Sequence, residues 1–184
     1  MTQIKVNYEF EVLLHLIKKE MHGRELAKEL KTSLTRIQAI LSELRQFNVL
    51  DYKAVGKNHL YFIKKNLVAR SFVLNAENYK LAKIVSKYDY LEPLFKEIMQ
   101  KYPDLIIILF GSYAKFIPKD ESDIDLYIDT NDKKIKEAIN NINDKLSVKI
   151  GDFNKDDLLI QEIIRNHAII QGGERFYEKL RFFK

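Results

Sequence analysis

The residues best placed to do chemistry lie between positions 110 and 125 of this 184-residue chain. Gly111-Ser112 ends the aliphatic run Leu105-Ile106-Ile107-Ile108-Leu109-Phe110, and after ten intervening residues comes Asp123-Ile124-Asp125-Leu126-Tyr127-Ile128. Glycine lets another group approach the backbone closely, and the neighbouring hydroxyl can donate to a phosphate oxygen. The second segment alternates like a strand with one solvent-facing side. Asp123 and Asp125 then project from one side, and Ile124, Leu126 and Ile128 project into the core. Paired carboxylates repel and raise at least one pKa unless a cation joins them. Mg²⁺ resolves the repulsion and keeps water and substrate phosphates as its other ligands. Together these parts describe metal-assisted phosphoryl chemistry. Reading the aspartates as an ordinary exposed strand face leaves the Gly-Ser turn at this spacing unexplained.

Presenting those groups requires a particular frame. The run at 105–110 predicts a central strand buried on both faces. A polar loop through Pro118, Lys119, Asp120, Glu121 and Ser122 leads to the aspartate strand. A helix around 133–142 precedes a third strand at 146–151, whose polar face reads Ser147, Lys149, Gly151. Leu158, Leu159, Ile163 and Ile164 predict a helix covering the sheet, and His167 reads as a packed or capping residue. Gly172-Gly173 marks a turn before a last helical segment at 174–180, and Phe182 and Phe183 close the core or dock a partner.

Phe110-Gly111-Ser112-Tyr113-Ala114-Lys115 and Ser122-Asp123-Ile124-Asp125-Leu126 resemble the signature of the DNA polymerase β nucleotidyltransferase superfamily, specifically its minimal nucleotidyltransferases. The resemblance covers roughly residues 91–184. It implies that Gly111 and Ser112 contact the nucleotide phosphates and that Asp123 and Asp125 are the catalytic, Mg²⁺-binding carboxylates. Lys115 is a further phosphate partner. The family commonly supplies a third carboxylate from the next strand, and this sequence departs there. Lys149 falls where an acid is expected, and Asp152 is the nearest candidate metal ligand. Simple alternation puts Asp152 on the face of Val148 and Ile150, so it joins the site only if the strand ends or bulges at Gly151.

The first third has a different character. Phe10, Leu13, Leu14 and Ile17 form one amphipathic stripe. A shorter helix at 24–30 turns Leu26, Ala27 and Leu30 inward. Lys31-Thr32-Ser33 breaks the pattern with hydroxyl caps before a helix at 34–46 that buries Leu34, Ile37, Leu41 and Leu44, with Asn48 at its end. Two β-rich runs, 50–55 and 59–63, flank Gly56-Lys57-Asn58, a hairpin tip. Across roughly residues 6–65 this order resembles a winged helix-turn-helix. The resemblance implies a DNA-binding face on the third helix, where Thr35, Arg36, Gln38, Ala39, Ser42, Arg45 and Gln46 remain outside the core. Lys53, Lys57 and His59 would sit on the wing near phosphates. A protein-docking module with a merely wet polar face is the alternative. Between the two parts, residues 67–90 read as a helical connector with a stripe over 75–90. A second helix follows at about 91–102, with Pro93 in its first turn.

Charge separates the two parts as well. Residues 1–66 hold 12 Lys+Arg against 7 Asp+Glu, and residues 67–184 hold 19 of each, so the whole net charge of +5 lies in the first third. A localised basic excess attracts polyanions. The chain has no cysteine, which excludes disulfides, thiolate zinc sites and cysteine nucleophiles. With 46% hydrophobic and 31% charged residues it reads as a globular protein rather than a disordered one. No apolar run approaches the ~20 residues of a membrane helix, and Glu9 interrupts any signal-peptide core. The expected location is the cytoplasm, with no membrane partner.

The expectation is therefore an α+β protein, an N-terminal winged helix-turn-helix followed by a mixed-sheet nucleotidyltransferase domain of polymerase β-like palm type. The expected limits are 1–66 for the winged helix, 67–90 for the connector and 91–184 for the transferase. The implied activity is Mg²⁺-dependent transfer of a nucleoside monophosphate, AMP from ATP, to an acceptor hydroxyl, with DNA as partner of the N-terminal domain. Two alternatives stand beside it. One is a DNA-binding regulator whose second domain only senses nucleotide; the other is an antitoxin-type nucleotidyltransferase that modifies a partner protein.

Overall fold

The computed structural model describes residues 4–184. The chain divides into two units, Lys5–Tyr79 with Arg181–Lys184 and a second containing Lys80–Leu180. The fold is α+β in both.

In the first unit α1 (Tyr8–Leu16), β1 (Met21–His22), α2 (Gly23–Glu29), α3 (Leu34–Gln46), β2 (Leu50–Val55) and β3 (Asn58–Ile63) follow in order. The strands form an antiparallel sheet ordered β1-β3-β2. This is a winged helix-turn-helix. Asn7 caps α1 by accepting from Phe10 N, and the Ser33 side chain accepts from Arg36 N to start α3. Asn48 ends α3 with φ +62, and Val49 N donates to the Leu44 carbonyl, which closes the helix. Gly56 takes φ +60 at the first position of a two-residue hairpin turn, a position that favours glycine. Val12, Leu13, Leu26, Ile37, Leu41 and Leu44 make the core. Ile40 joins them, whereas Leu34 stays partly accessible.

The predicted connector helix is longer than its stripe suggests. Helix α4 (Leu67–Lys87) begins directly after the hairpin and runs through the division between the units. Asn66 sets its start by accepting from Ala69 N. Within the first unit the Tyr79 hydroxyl accepts from Asn7 N at 3.1 Å and donates to Glu11 at 3.0 Å, which fixes this stretch of α4 to α1.

The second unit continues through α5 (Leu91–Lys101), β4 (Ile107–Leu109), α6 (Gly111–Ala114), β5 (Ile124–Ile128), α7 (Lys133–Asn140), β6 (Leu146–Ile150), α8 (Leu158–Arg165), β7 (Ala168–Gln171) and α9 (Gly173–Leu180). Its mixed sheet is ordered β6-β5-β4-β7, with β5 parallel to β6 and antiparallel to β4. Ile107, Leu109, Ile124, Leu126 and Ile128 pack on Leu91, Leu94, Phe95 and Ile98 of α5.

The other sheet face departs from the expected solvent-facing side. Tyr127, in the same alternating row as Asp125, is 1% exposed. Its ring meets Phe153 edge-on, Phe153 meets Phe176, and its hydroxyl donates to the Gly151 carbonyl at 2.7 Å. The second layer thus covers β5 as far as Tyr127 and leaves Asp125 only partly enclosed. Strand β7 was not anticipated from the sequence; Ala168, Ile169 and Gln171 pair with β4, with a register irregularity at Ile170.

Candidate functional site

The site begins where β4 ends. Leu109 pairs with Leu126, and one step further Phe110 N donates to the Asp125 carbonyl at 3.0 Å. The chain then turns at Gly111, whose φ is +68. A Cβ placed on Gly111 would stand 2.2 Å from Asp125 Oδ2 and 3.1 Å from its Cγ. Only a residue without a side chain lets the carboxylate of Asp125 lie against this turn. Ser112 follows at once in α6. Asp123 stands just before β5 and is exposed, and its charge reaches Asp125.

Asp125 titrates above the usual carboxylate range. Burial is the main cause, and Asp123 and Glu162 add repulsion. A hydrogen bond from the Ser147 hydroxyl and the ammonium of Lys149 oppose the rise. Strand register accounts for both, because Asp125 lies opposite Ser147 and Tyr127 opposite Lys149. The polar face expected of β6 therefore does border the aspartates, and it offers a hydroxyl and an ammonium in place of a third acid.

Asp152 does not join them. Strand β6 does end before Gly151, as joining the site required, but it runs parallel to β5 with Ser147 beside Asp125. The last residue of β6, Ile150, is already about 10 Å along the strand from Ser147 at ~3.3 Å per residue, and Asp152 lies beyond it. There it accepts from Asn131 Nδ2 at 2.8 Å. Lys115, expected at a phosphate, pairs with Glu162 of α8 at 3.0 Å. Glu162 had not been singled out in the sequence. It sits in an amphipathic helix with Ile160 and Ile163 buried, and nothing in that stripe distinguishes it from an ordinary exposed acid.

In the first unit Thr35, Arg36, Gln38, Ser42 and Arg45 are all exposed on α3. Gln38 and Lys57 line one concave surface of about 540 Å³ between α3 and the wing, together with His22, Arg24, Asn58 and His59. The guanidinium of Arg45 lies over the Tyr52 ring at 4.4 Å, and Tyr52 stacks on His59. Arg36 lies over Tyr8 at 4.0 Å. Lys53 is on the other face of the hairpin, opposite Leu60, where it pairs with Glu20 at 2.7 Å and lies over Phe62. Strand alternation turns it away from the face that carries Arg45 and Tyr52.

Residues 95–179 match the family model for Polymerase beta, Nucleotidyltransferase. The match takes in Gly111, Ser112, Asp123 and Asp125 and falls within the C-terminal unit. No curated protein matches the chain at a significant level. Among solved structures, the adhesin competence repressor AdcR of Streptococcus pyogenes overlaps 54% of this chain and 69% of its own at 14% identity, with a TM-score of 0.37. A mutant of ZitR from Lactococcus lactis overlaps 55% of this chain and 75% of its own at 15% identity, with a TM-score of 0.40. Overlaps this loose add nothing to the description of either unit.

The donor set of the C-terminal unit matches one hard divalent ion. Asp123 and Asp125 supply anionic oxygens, and Mg²⁺ takes its other ligands from water and phosphate. Among the described residues, no group of three or more His, Cys, Asp or Glu side chains is arranged around one metal position. Among the described residues, no helix is long and apolar enough to cross a membrane.

Two outcomes follow from the packing of Asp125. Gly111→Ala loses about 1–2 kcal/mol from the left-handed backbone alone, and it also displaces the Asp125 carboxylate. Chemical denaturation and Mg²⁺ titration check the two effects; unchanged values for both would contradict the close approach. The raised pKa of Asp125 has a defined sign. Stability tied to it is fully present below the unfolded carboxylate pKa of about 4 and is lost as pH rises through the folded value. In EDTA, Asp125→Asn therefore raises Tm at pH 8, and the gain shrinks as pH falls toward 4. A gain independent of pH in thermal melts would contradict this.

Proposed function

We propose that the C-terminal domain moves AMP from ATP to an acceptor hydroxyl in a Mg²⁺-dependent reaction in the cytoplasm, and that the winged helix holds the protein on DNA. The observation that carries the first part is the seating of Asp125 against Gly111, beside Asp123 and directly before Ser112. In this reading the acceptor hydroxyl gives up its proton to solvent as its oxygen attacks the α-phosphorus, the α–β phosphoanhydride bond breaks and pyrophosphate leaves. Asp123 and Asp125 hold Mg²⁺ through their carboxylate oxygens. Bound there, Mg²⁺ supplies neutralisation of the charge on the phosphate oxygens. Ser112 Oγ donates to the phosphates, and the bare backbone of Gly111 lets them come close. Lys115 adds a cation when a phosphate displaces Glu162 from it. The acceptor is a protein or small-molecule hydroxyl.

Ser147 and Lys149, standing where the third carboxylate would be, favour a second reading in which the domain binds nucleotide and transfers nothing. Incubation with α-labelled ATP, Mg²⁺ and candidate acceptors separates the two. Transfer is expected, and Asp123→Ala or Asp125→Ala lowers it by at least about 100-fold. Nucleotide binding without transfer would select the sensor, and transfer undiminished in both variants would remove the proposed mechanism.

The DNA reading rests on the basic excess of the first third and on the concave surface shared by Gln38, Arg24 and Lys57. Lys57→Ala is expected to weaken binding alike for all sequences and to lower the salt slope by about 1. Gln38→Ala changes sequence preference instead. Lys53→Ala, on the opposite hairpin face, leaves both unchanged. Fluorescence anisotropy across a salt series checks this, and equal effects of Lys53→Ala and Lys57→Ala would contradict it.

A further inference from the structure

Within the second unit a pocket of about 480 Å³ opens on the side of β5 that faces away from Asp125. Ile124 lines it, and Ile124 lies between the two aspartates on the opposite alternating row. The volume falls in the roughly 300–1,000 Å³ range of small-molecule sites. Three tyrosines from two stretches of chain, Tyr88 and Tyr90 from one and Tyr113 from the other, form the inner wall. Tyr113 is 2% exposed, and Tyr88 meets it edge-on at 5.3 Å between ring centroids. Tyr90 is 52% exposed, and its hydroxyl shares a 2.8 Å hydrogen bond with that of Tyr113. The rim is polar and carries more positive than negative charge. Lys119 and Lys145 stand there with one acid, Asp120, and Lys145 Nζ donates to the Asp120 carbonyl at 3.1 Å. That bond uses one of the three donors of the ammonium.

Half-exposed aromatic rings beside cationic groups suit a ligand that is planar at one end and anionic at the other. A ring can stack on Tyr90 or meet the tyrosine edges, an attraction indifferent to which base it carries. The tyrosine hydroxyls offer hydrogen bonds to ring nitrogens and exocyclic groups, and the two lysines take up a phosphate. A purely apolar ligand would leave the lysines and tyrosine hydroxyls without partners. Inorganic phosphate alone would leave the rings uncovered.

We propose that this pocket binds a nucleoside monophosphate, independently of any metal and of the Asp123–Asp125 face. The proposal does not rest on the transfer reaction. The pocket is nonetheless joined to the candidate active site by single residues. Tyr113 follows Ser112, and Ile124 separates Asp123 from Asp125.

The test is calorimetric titration of the full chain with AMP in EDTA, alongside adenosine and inorganic phosphate. AMP is expected to bind at least about tenfold more tightly than either fragment. Tyr90→Ala and Lys145→Ala, both at accessible positions, each weaken AMP by about tenfold, while circular dichroism and Tm report whether they remain folded. Asp125→Asn leaves AMP binding in EDTA unchanged. Absence of AMP binding, binding indifferent to Tyr90→Ala and Lys145→Ala, or binding lost in Asp125→Asn would each overturn the proposal. Because no metal is present and no transfer is measured, failure here and failure of the transfer reaction are separate results.

Discussion

The candidate active site depends on one close approach, the carboxylate of Asp125 lying where a side chain on Gly111 would be. Three independent features converge on it. Antiparallel pairing of β4 and β5 carries Phe110 one residue past the last ladder pair, to the carbonyl of Asp125. A left-handed φ turns the chain at the next residue, and the missing Cβ leaves room for an oxygen. Ser112 is then beside the acid by connectivity alone. The ten residues between Ser112 and Asp123 return the chain to the start of β5, burying Tyr113 and Ala114 on the way and leaving a mixed polar loop at the surface.

Around that contact the charges are nearly balanced rather than uniformly acidic. Burial, Asp123 and Glu162 disfavour the ionised form of Asp125, while Ser147 and Lys149 favour it. A second divalent ion needs a further anionic oxygen on this face, and the register of β6 puts a hydroxyl and an ammonium there instead. The arrangement therefore fits a single ion shared with a phosphate better than a pair of ions. Lys149 can itself take part of the charge-neutralising role, since an ammonium beside a carboxylate and a phosphate lowers the electrostatic cost of bringing them together.

Local signals carried most of the architecture. The aliphatic run, the paired aspartates and the Ser33 cap each declare themselves within a few residues, and their elements fall where the pattern puts them. What escaped was set by partners distant in sequence. Strand β7 is four residues long and owes its state to pairing with β4; β1 is two residues paired to β3. The first turns of α4 do carry an apolar row, Ala69, Phe72, Val73 and Ala76, but the exposed Leu67 and Val68 blur it at the start of the helix. Asp152 was misplaced because alternation fixes the face of a strand residue but not its position along the neighbouring strand. Only the parallel register supplies that. The side of β5 that carries Asp125 and Tyr127 was expected to face solvent throughout for a related reason, since the Phe153 and Phe176 that cover Tyr127 come from later segments.

The pairing of Lys115 with Glu162 gives the site a way to respond to an anion. Both side chains are substantially exposed, 35% and 48%, and an ion pair in such a setting contributes about 0–1 kcal/mol. A triphosphate offers several charged oxygens and stronger hydrogen bonds to an ammonium than one solvated carboxylate does. If a triphosphate binds beside Ser112 as proposed, exchange of Lys115 from Glu162 to a phosphate is therefore favourable. It would leave Glu162 unpaired while its charge still reaches Asp125. That carboxylate then adds to the negative potential at the aspartates just as a cation is needed there. A helix that looks like a plain cover for the sheet thus pairs with Lys115 and acts on the charge of Asp125, through a residue that neither motif contains.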